Sequence, residues 1–155
     1  METATRPYAF SRKVFCEGMR DGVPIALGYF AVSFSLGIAA RSAGLTPTQG
    51  FIASLFNNAS AGEYAAFSLI AAGATYVEVA IITLIANARY LLMSCALAQR
   101  FAPGTPFFHR LIIGYDVTDE LFGITIARPG CLNPFYTYGA ITLAAPAWAM
   151  GTALG

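Results

Sequence analysis

Apolar residues follow one another in long runs along this chain, and polar residues separate or interrupt the runs at a few points. The first uncharged run, Gly22 to Ala40, has close to the ~20 residues that a helix needs to cross a bilayer core. The alternative is a signal peptide, whose apolar core is about 7–15 residues long and precedes a small-residue cleavage site that this sequence does not show. The pattern therefore predicts a retained transmembrane helix over about 22–40.

A second apolar block, from Phe51 to Leu97, is too long for one span and about long enough for two. Gly73 marks a turn inside the block, since glycine is a strong punctuator of regular structure. A last apolar run lies at the end of the chain. We predict three further spans, at about 51–72 (broken), 75–98 and 135–154.

Two amides, a serine, a glycine and a carboxylate interrupt the 51–72 run between Asn57 and Glu63. Three arginines follow the block, Arg100, Arg110 and Arg128. A full crossing by 51–72 would place these arginines opposite the basic N-terminal segment 1–21, against the positive-inside tendency. A segment that enters and leaves on one face of the bilayer keeps the three arginines and the basic N-terminal segment together in the cytoplasm. We therefore expect a broken, re-entrant 51–72 segment, buried in protein or lining a wet cavity.

Apolar residues make up 57% of the 155 residues and charged residues only 11%, well below the roughly one quarter that soluble domains carry. The net charge of +1 gives no indication of a nucleic-acid partner. The three cysteines lie far apart, without the spacing of metal ligands, so we expect no metal or cofactor site. The expected fold class is an all-α integral membrane protein, a polytopic helical bundle in the lipid bilayer with a broken or re-entrant helix pair.

The polar interruption is the first candidate for function, because amides and ionisable groups inside a membrane are costly and usually face a bundle interior or a water-filled path. Asn57, Asn58 and Glu63 are candidate substrate-binding residues, with Glu63 either contacting substrate or exchanging a proton. Two other interpretations stay open. The stretch could form a solvated interfacial loop, or Glu63 could form a buried ion pair with Arg89.

The 75–98 span carries a second polar set. Its members Thr83, Asn87, Tyr90 and Ser94 are spaced 4, 3 and 4 residues apart and would share one face of a helix. Arg89 lies off this stripe and too deep to reach the interface easily, so it requires a carboxylate partner or an anionic ligand. We add Asn87, Arg89 and Tyr90 to the candidate substrate site.

Residues 101–129 are too polar to span a bilayer, and we expect a cytoplasmic loop with an interfacial helix around 111–127. Asp116, Asp119 and Glu120 have i, i+3 and i+4 spacing and would share one helix face. They are candidate gate or cation-binding residues, and a solvated helix face is the alternative.

Small residues four positions apart form two faces suited to close helix packing. Ser33 and Gly37 form one of them. Ala147, Gly151 and Gly155 form the other, and if a missing half of the protein exists elsewhere, we expect it to dock there.

The sequence does not favour a membrane enzyme. Intramembrane aspartyl proteases need a second, glycine-flanked aspartate motif, and none accompanies Asp116, which lies outside the predicted spans. A serine hydrolase would need a serine–histidine pair, and the single histidine, His109, also lies outside the apolar segments.

Four stretches, in order, resemble the AzlC family of branched-chain amino-acid permeases: NASAGEYAAFSLIAAGA, LIANARYLLMSCAL, VTDELFGI and PAWAMGTALG. Glu63 stands where the family commonly has glutamine. Asn87 and Arg89 match the N-x-R motif of the family, and Tyr90 replaces the histidine that follows it. The later matches are Asp119, Glu120, Phe122, Trp148, Gly151 and Gly155. The resemblance covers about 22–155, which would be one permease domain.

The resemblance implies a secondary transporter that exports branched-chain or related neutral amino acids across the cytoplasmic membrane, together with a small AzlD-type membrane subunit. Family members continue with further helices, so the chain corresponds to the N-terminal portion of a permease: a fragment, a split gene product, or a short form that completes itself as a homo-oligomer. The alternative function is a non-transporting membrane assembly or interaction subunit.

Overall fold

The computed structural model describes residues 8–155, and every regular element within them is a helix. The helices are α1 (Arg12–Ser42), α2 (Pro47–Phe56), α3 (Ser60–Ala71), α4 (Tyr76–Asn87), α5 (Arg89–Arg100), α6 (Phe107–Tyr115), α7 (Asp119–Ile126) and α8 (Pro134–Leu154). The predicted all-helical fold is confirmed for this part of the chain.

Helix α1 begins at Arg12, well before the predicted 22–40 span, and continues without a break through Pro24. Within the described residues, α1 is the one helix that is long and apolar enough to cross a membrane by itself. The pair α4 and α5 meets the same criterion only when both are counted as one span. Residues 1–7, the start of the predicted cytoplasmic segment 1–21, lie outside the described part.

The helices form two compact units. Within the described residues, the first unit consists of residues 8–23 together with Tyr90–Leu143. The second unit consists of Pro24–Arg89 together with Ala144–Gly155. Both α1 and α8 contribute their first part to the first unit and their second part to the second unit.

The first unit has its own apolar core, formed by Leu97, Phe101, Ile113, Val117 and Leu132. Arg100 holds the turn after α7 in place, because its guanidinium donates to the carbonyl oxygens of Ile126 at 3.0 Å and Arg128 at 2.6 Å. The Arg128 side chain in turn forms an ion pair of 2.8 Å with Glu17. Arg100 and Arg128 therefore have structural partners within this unit.

In the second unit the two predicted small-residue faces pack against each other. A Cβ atom on Gly151 would collide with Ser33 Oγ, and one on Gly37 would lie 2.8 Å from the Cα of Gly155. Only residues without larger side chains permit so close an approach of α1 and α8. The prediction that helices outside the chain dock on Gly151 and Gly155 is wrong, because α1 already covers these glycines.

The interruption predicted at Asn57–Glu63 is a break between α2 and α3 that comprises residues 57–59. Ala59 has an extended backbone, with φ −130° and ψ 106°, and no side chain caps α3. Glu63 lies in the first turn of α3. The predicted broken helix pair is therefore present.

A second break, at Ala88, was not predicted. It divides the third predicted span into α4 and α5. The polar stripe is divided as well, since Thr83 and Asn87 belong to the second unit while Tyr90 and Ser94 belong to the first. The prediction that these four side chains share one helix face is wrong.

The interfacial helix predicted over 111–127 is also two helices, α6 and α7. Asp116 follows the end of α6 and is buried, whereas Asp119 and Glu120 begin α7 and are exposed. Thr118 caps α7 and sets the register of the new helix. The prediction of three carboxylates on one helix face is therefore wrong, and with it the geometry proposed for a gate or cation site.

Candidate functional site

The Glu63 carboxyl group is the most deeply buried ionisable group of the second unit, with the residue only 1% exposed. Its Oε1 accepts a hydrogen bond from Ser54 Oγ on α2. Its Oε2 accepts a hydrogen bond of 2.8 Å from Trp148 Nε1 on α8. The carboxyl group thus joins three helices of the unit, since it lies on α3 between α2 and α8.

Two hydroxyl groups and a carbonyl extend this cluster. Ser54 Oγ lies 2.7 Å from Thr152 Oγ1, and Thr152 Oγ1 lies 3.5 Å from the carbonyl oxygen of Trp148, one turn earlier on α8. Ser54 and Thr152 are both buried. The Trp148 ring rests edge-on against Tyr29, with centroids 5.2 Å apart, which fixes the direction of its N–H group. We name Glu63, Ser54, Thr152 and Trp148 the carboxyl cluster.

The side-chain amides of Asn57, in the break between α2 and α3, and Asn87 form a pair. Asn87 Nδ2, at the end of α4, donates to Asn57 Oδ1 at 3.1 Å. The Asn87 amide packs directly on Gly62, where a Cβ atom would lie 2.8 Å from Nδ2. The backbone of α3 thus approaches α4 closely at a residue that carries no side chain.

A cleft of about 730 Å³ opens between α3 and α4 and reaches Asn87. Its walls are mostly apolar, and its volume is in the usual range of small-molecule sites. Two buried polar atoms of its lining residues, Thr83 Oγ1 and Asn87 Oδ1, have no hydrogen-bond partner among the described residues. Such atoms are rare in folded proteins and commonly mark a place for a ligand or water.

The structure brings together some of the predicted substrate-binding residues and separates others. Asn57 and Asn87 are in contact, but the Glu63 carboxyl group bonds to α2 and α8 and to neither asparagine. Arg89 is exposed, at the end of the second unit. Tyr90 packs against the core of the first unit, which corrects its predicted place on the polar stripe. Asn58 is half-buried within the break.

The partners of Glu63 could not be assigned from sequence. Ser54 lies inside an apolar run of α2, and Thr152 lies inside the apolar run of α8. One signal was available: Trp148 and Thr152 are four residues apart and so share a helix face. A buried tryptophan also usually has an acceptor for its N–H group.

Comparison with known proteins agrees with a membrane setting. A profile of the family described as AzlC protein matches residues 24–155. A membrane protein of Archaeoglobus fulgidus, named as uncharacterized, is 28% identical over 142 residues, which cover 92% of this chain and 61% of the relative. Inner membrane protein YgaZ of Escherichia coli is 26% identical over 128 residues, which cover 83% of this chain and 52% of YgaZ.

A Helicobacter pylori membrane protein, also named as uncharacterized, is 23% identical over 146 residues, or 92% of this chain and 63% of the relative. The chain therefore spans between 52% and 63% of the length of these three relatives. No solved structure matches the chain significantly. Since the profile matches most of its residues, the chain belongs to the AzlC family, and the relatives that it matches are membrane proteins.

Proposed function

We propose that this chain forms part of a multi-pass transporter in the cytoplasmic membrane that exports neutral amino acids with apolar side chains. Family membership supports a transport role. The assignment of neutral amino acids as the substrates depends on the amide pair of Asn57 and Asn87 and on the cleft beside it. An ATP-binding loop is missing from the sequence, so the energy would come from an ion gradient.

The observation that carries the proposal is that two residues lining the cleft, Thr83 and Asn87, each carry a buried polar atom without a hydrogen-bond partner among the described residues, Thr83 Oγ1 and Asn87 Oδ1. An amide oxygen accepts hydrogen bonds, and an ammonium group offers three donors and no acceptor. The apolar walls of the same cleft, which include Ile70, Val79 and Leu84, suit an aliphatic side chain. A small zwitterion with an apolar side chain satisfies both kinds of surface.

The substrate carboxylate would be bound by Arg89, two residues beyond Asn87, through charge-assisted hydrogen bonds. Discontinuous helices such as α2 and α3 suit alternating access, because their free ends can change partners as the protein changes state. The complete transporter would include helices outside this chain and a small AzlD-type subunit.

We predict that Asn87→Leu lowers leucine efflux from preloaded vesicles about tenfold, the effect of losing about 1.4 kcal/mol of interaction. The chain is expressed in vesicles with and without a co-expressed AzlD-type subunit, and radiolabelled leucine is counted over time. Gln99→Leu, an amide-to-leucine change at an exposed position of α5, is the matched control and should leave the rate unchanged.

Equal rates of leucine efflux for Asn87→Leu and the parent chain would show that the amide pair is not part of the substrate site. Absence of leucine efflux from every preparation, with the chain present in the membrane, would overturn the transport proposal. That outcome would favour the non-transporting assembly or interaction subunit.

A further inference from the structure

We propose that the carboxyl cluster is a proton-binding site and that the ion coupled to transport is a proton. The inference deepens the proposed function and rests on it for the coupling step. The binding of a proton by Glu63 stands on the geometry of the cluster and can be tested separately.

The groups that contact the Glu63 carboxyl group are Ser54 on α2 and Trp148 and Thr152 on α8, and all are neutral. Helix α1 contributes Tyr29, whose ring packs against Trp148. No basic side chain lies within ion-pair distance of Glu63 among the described residues.

The remaining charged residues of the second unit are exposed or otherwise engaged. Arg41 is exposed and donates to the carbonyl oxygen of Ala153 at 3.4 Å. Glu78 forms the capping box of α4 with Thr75. Arg89 is exposed. A buried carboxylate without a cationic partner is costly, and binding a proton removes that cost.

The hydroxyl groups of the cluster can donate hydrogen bonds in either direction. In the ionised state Thr152 can donate to Ser54, and Ser54 can donate to Glu63 Oε1. In the protonated state the order reverses, so that Glu63 donates to Ser54, Ser54 to Thr152, and Thr152 to the Trp148 carbonyl. The Trp148 N–H group donates to Oε2 in both states.

Both protonation states therefore keep every polar atom of the cluster bonded, and they differ only in the rotation of two hydroxyl groups. A carboxyl group held in this way can take up and release a proton without unpairing a buried group. The proton moves onto Glu63 Oε1 on one side of the membrane and leaves that atom on the other, so charge and atoms balance.

The spacing of the two hydroxyl oxygens also suits a proton-binding site. Ser54 Oγ and Thr152 Oγ1 are 2.7 Å apart, the length of an O–H···O hydrogen bond. Hydroxyl groups joined in this way form the relay through which a proton on Glu63 reverses the direction of donation.

The test compares Glu63→Gln with the parent chain in vesicles loaded with leucine. Glutamine can accept from Trp148 and donate to Ser54, so the variant should fold, yet it cannot bind or release a proton. We expect efflux driven by a pH gradient to fall about tenfold or more, with leucine-for-leucine exchange retained. A pH-sensitive dye should show proton movement with leucine only for the parent chain.

Efflux driven by a pH gradient in Glu63→Gln at the parent rate would overturn the proposal, as would efflux driven by a sodium gradient alone. Infrared difference spectroscopy on the purified protein provides a readout that does not need transport. A pH change should produce the signal of a buried carboxylic acid, and Glu63→Gln should abolish that signal.

The matched control for the spectroscopy is Glu78→Gln, the same change at an exposed position that keeps the capping box. The signal should persist in this control, and its loss there would contradict the assignment to Glu63. If the parent chain moves no leucine but the Glu63 signal is present, the proposed function fails while proton binding stands. If leucine is moved and the signal is missing, the proposed function stands while proton binding by Glu63 fails.

Discussion

Gly151→Ala is expected to destabilise the packing of α1 on α8 within the second unit. The new Cβ atom would collide with Ser33 Oγ and lie 2.7 Å from the Phe30 carbonyl oxygen and 3.1 Å from the Phe34 nitrogen. Because two of these atoms belong to the backbone, the helices must separate. Overpacking of this kind costs about 1–3 kcal/mol and sometimes more.

The measurement is thermal unfolding in detergent, followed by the fluorescence of the single tryptophan, Trp148, which lies less than one turn from Gly151. We expect the midpoint to fall by roughly 3–10 °C. Gly28→Ala is the matched control, since a Cβ atom at Gly28 meets nothing within 4 Å. Equal midpoints for the two variants would contradict the close contact of α1 and α8.

Gly62→Ala is expected to abolish most of the transport while changing stability little. Its Cβ atom would press on the Asn87 amide, 2.8 Å from Nδ2 and 2.9 Å from Cγ. A side-chain amide can rotate away at small cost, but it then leaves Asn57 and the cleft. Displacement of a binding group by about 1 Å can cost about a hundredfold in enzymes, and we expect a loss of at least about tenfold here.

Leucine efflux and leucine binding to the purified protein measure this effect, and the unfolding midpoint is recorded beside them. Gly28→Ala should retain both activities. A Gly62→Ala variant with the parent rate of efflux would show that the position of the Asn87 amide does not matter for transport. A matching loss of stability and efflux would assign Gly62 a structural role only.

The sequence predicted those features of the fold that depend on local signals. Long apolar runs predicted the helices, and the polar residues after Phe56 predicted the break between α2 and α3. The break at Ala88 could not be predicted, because neither proline nor glycine lies there. The start of α7 at Asp119 had a readable signal in Thr118, a residue type that favours helix N-caps.

The candidate site was only partly predictable, since its contacts join residues far apart in the chain. Asn57 and Glu63 were identified because a membrane segment rarely carries such groups. Their partners depend on which helices pack together. Glu63 meets Trp148 across 85 positions, and Asn87 meets Asn57 across 30. A helix periodicity cannot show that adjacent residues, Gly62 and Glu63, face different helices.

The central claim is that the polar end of α4 faces a site for neutral amino acids, and substrate protection of a cysteine at position 87 tests it most directly. The exposed native cysteines, Cys16, Cys95 and Cys131, are first replaced by serine. Asn87→Cys is then compared with Ile85→Cys, whose side chain is exposed and does not line the cleft. The rate of reaction with a hydrophilic thiol reagent is measured in membranes with and without leucine. The account predicts that Asn87→Cys reacts, that leucine slows the reaction there, and that leucine has no effect on the reaction of Ile85→Cys. Equal protection of the two positions by leucine, or no effect of leucine at position 87, would contradict it.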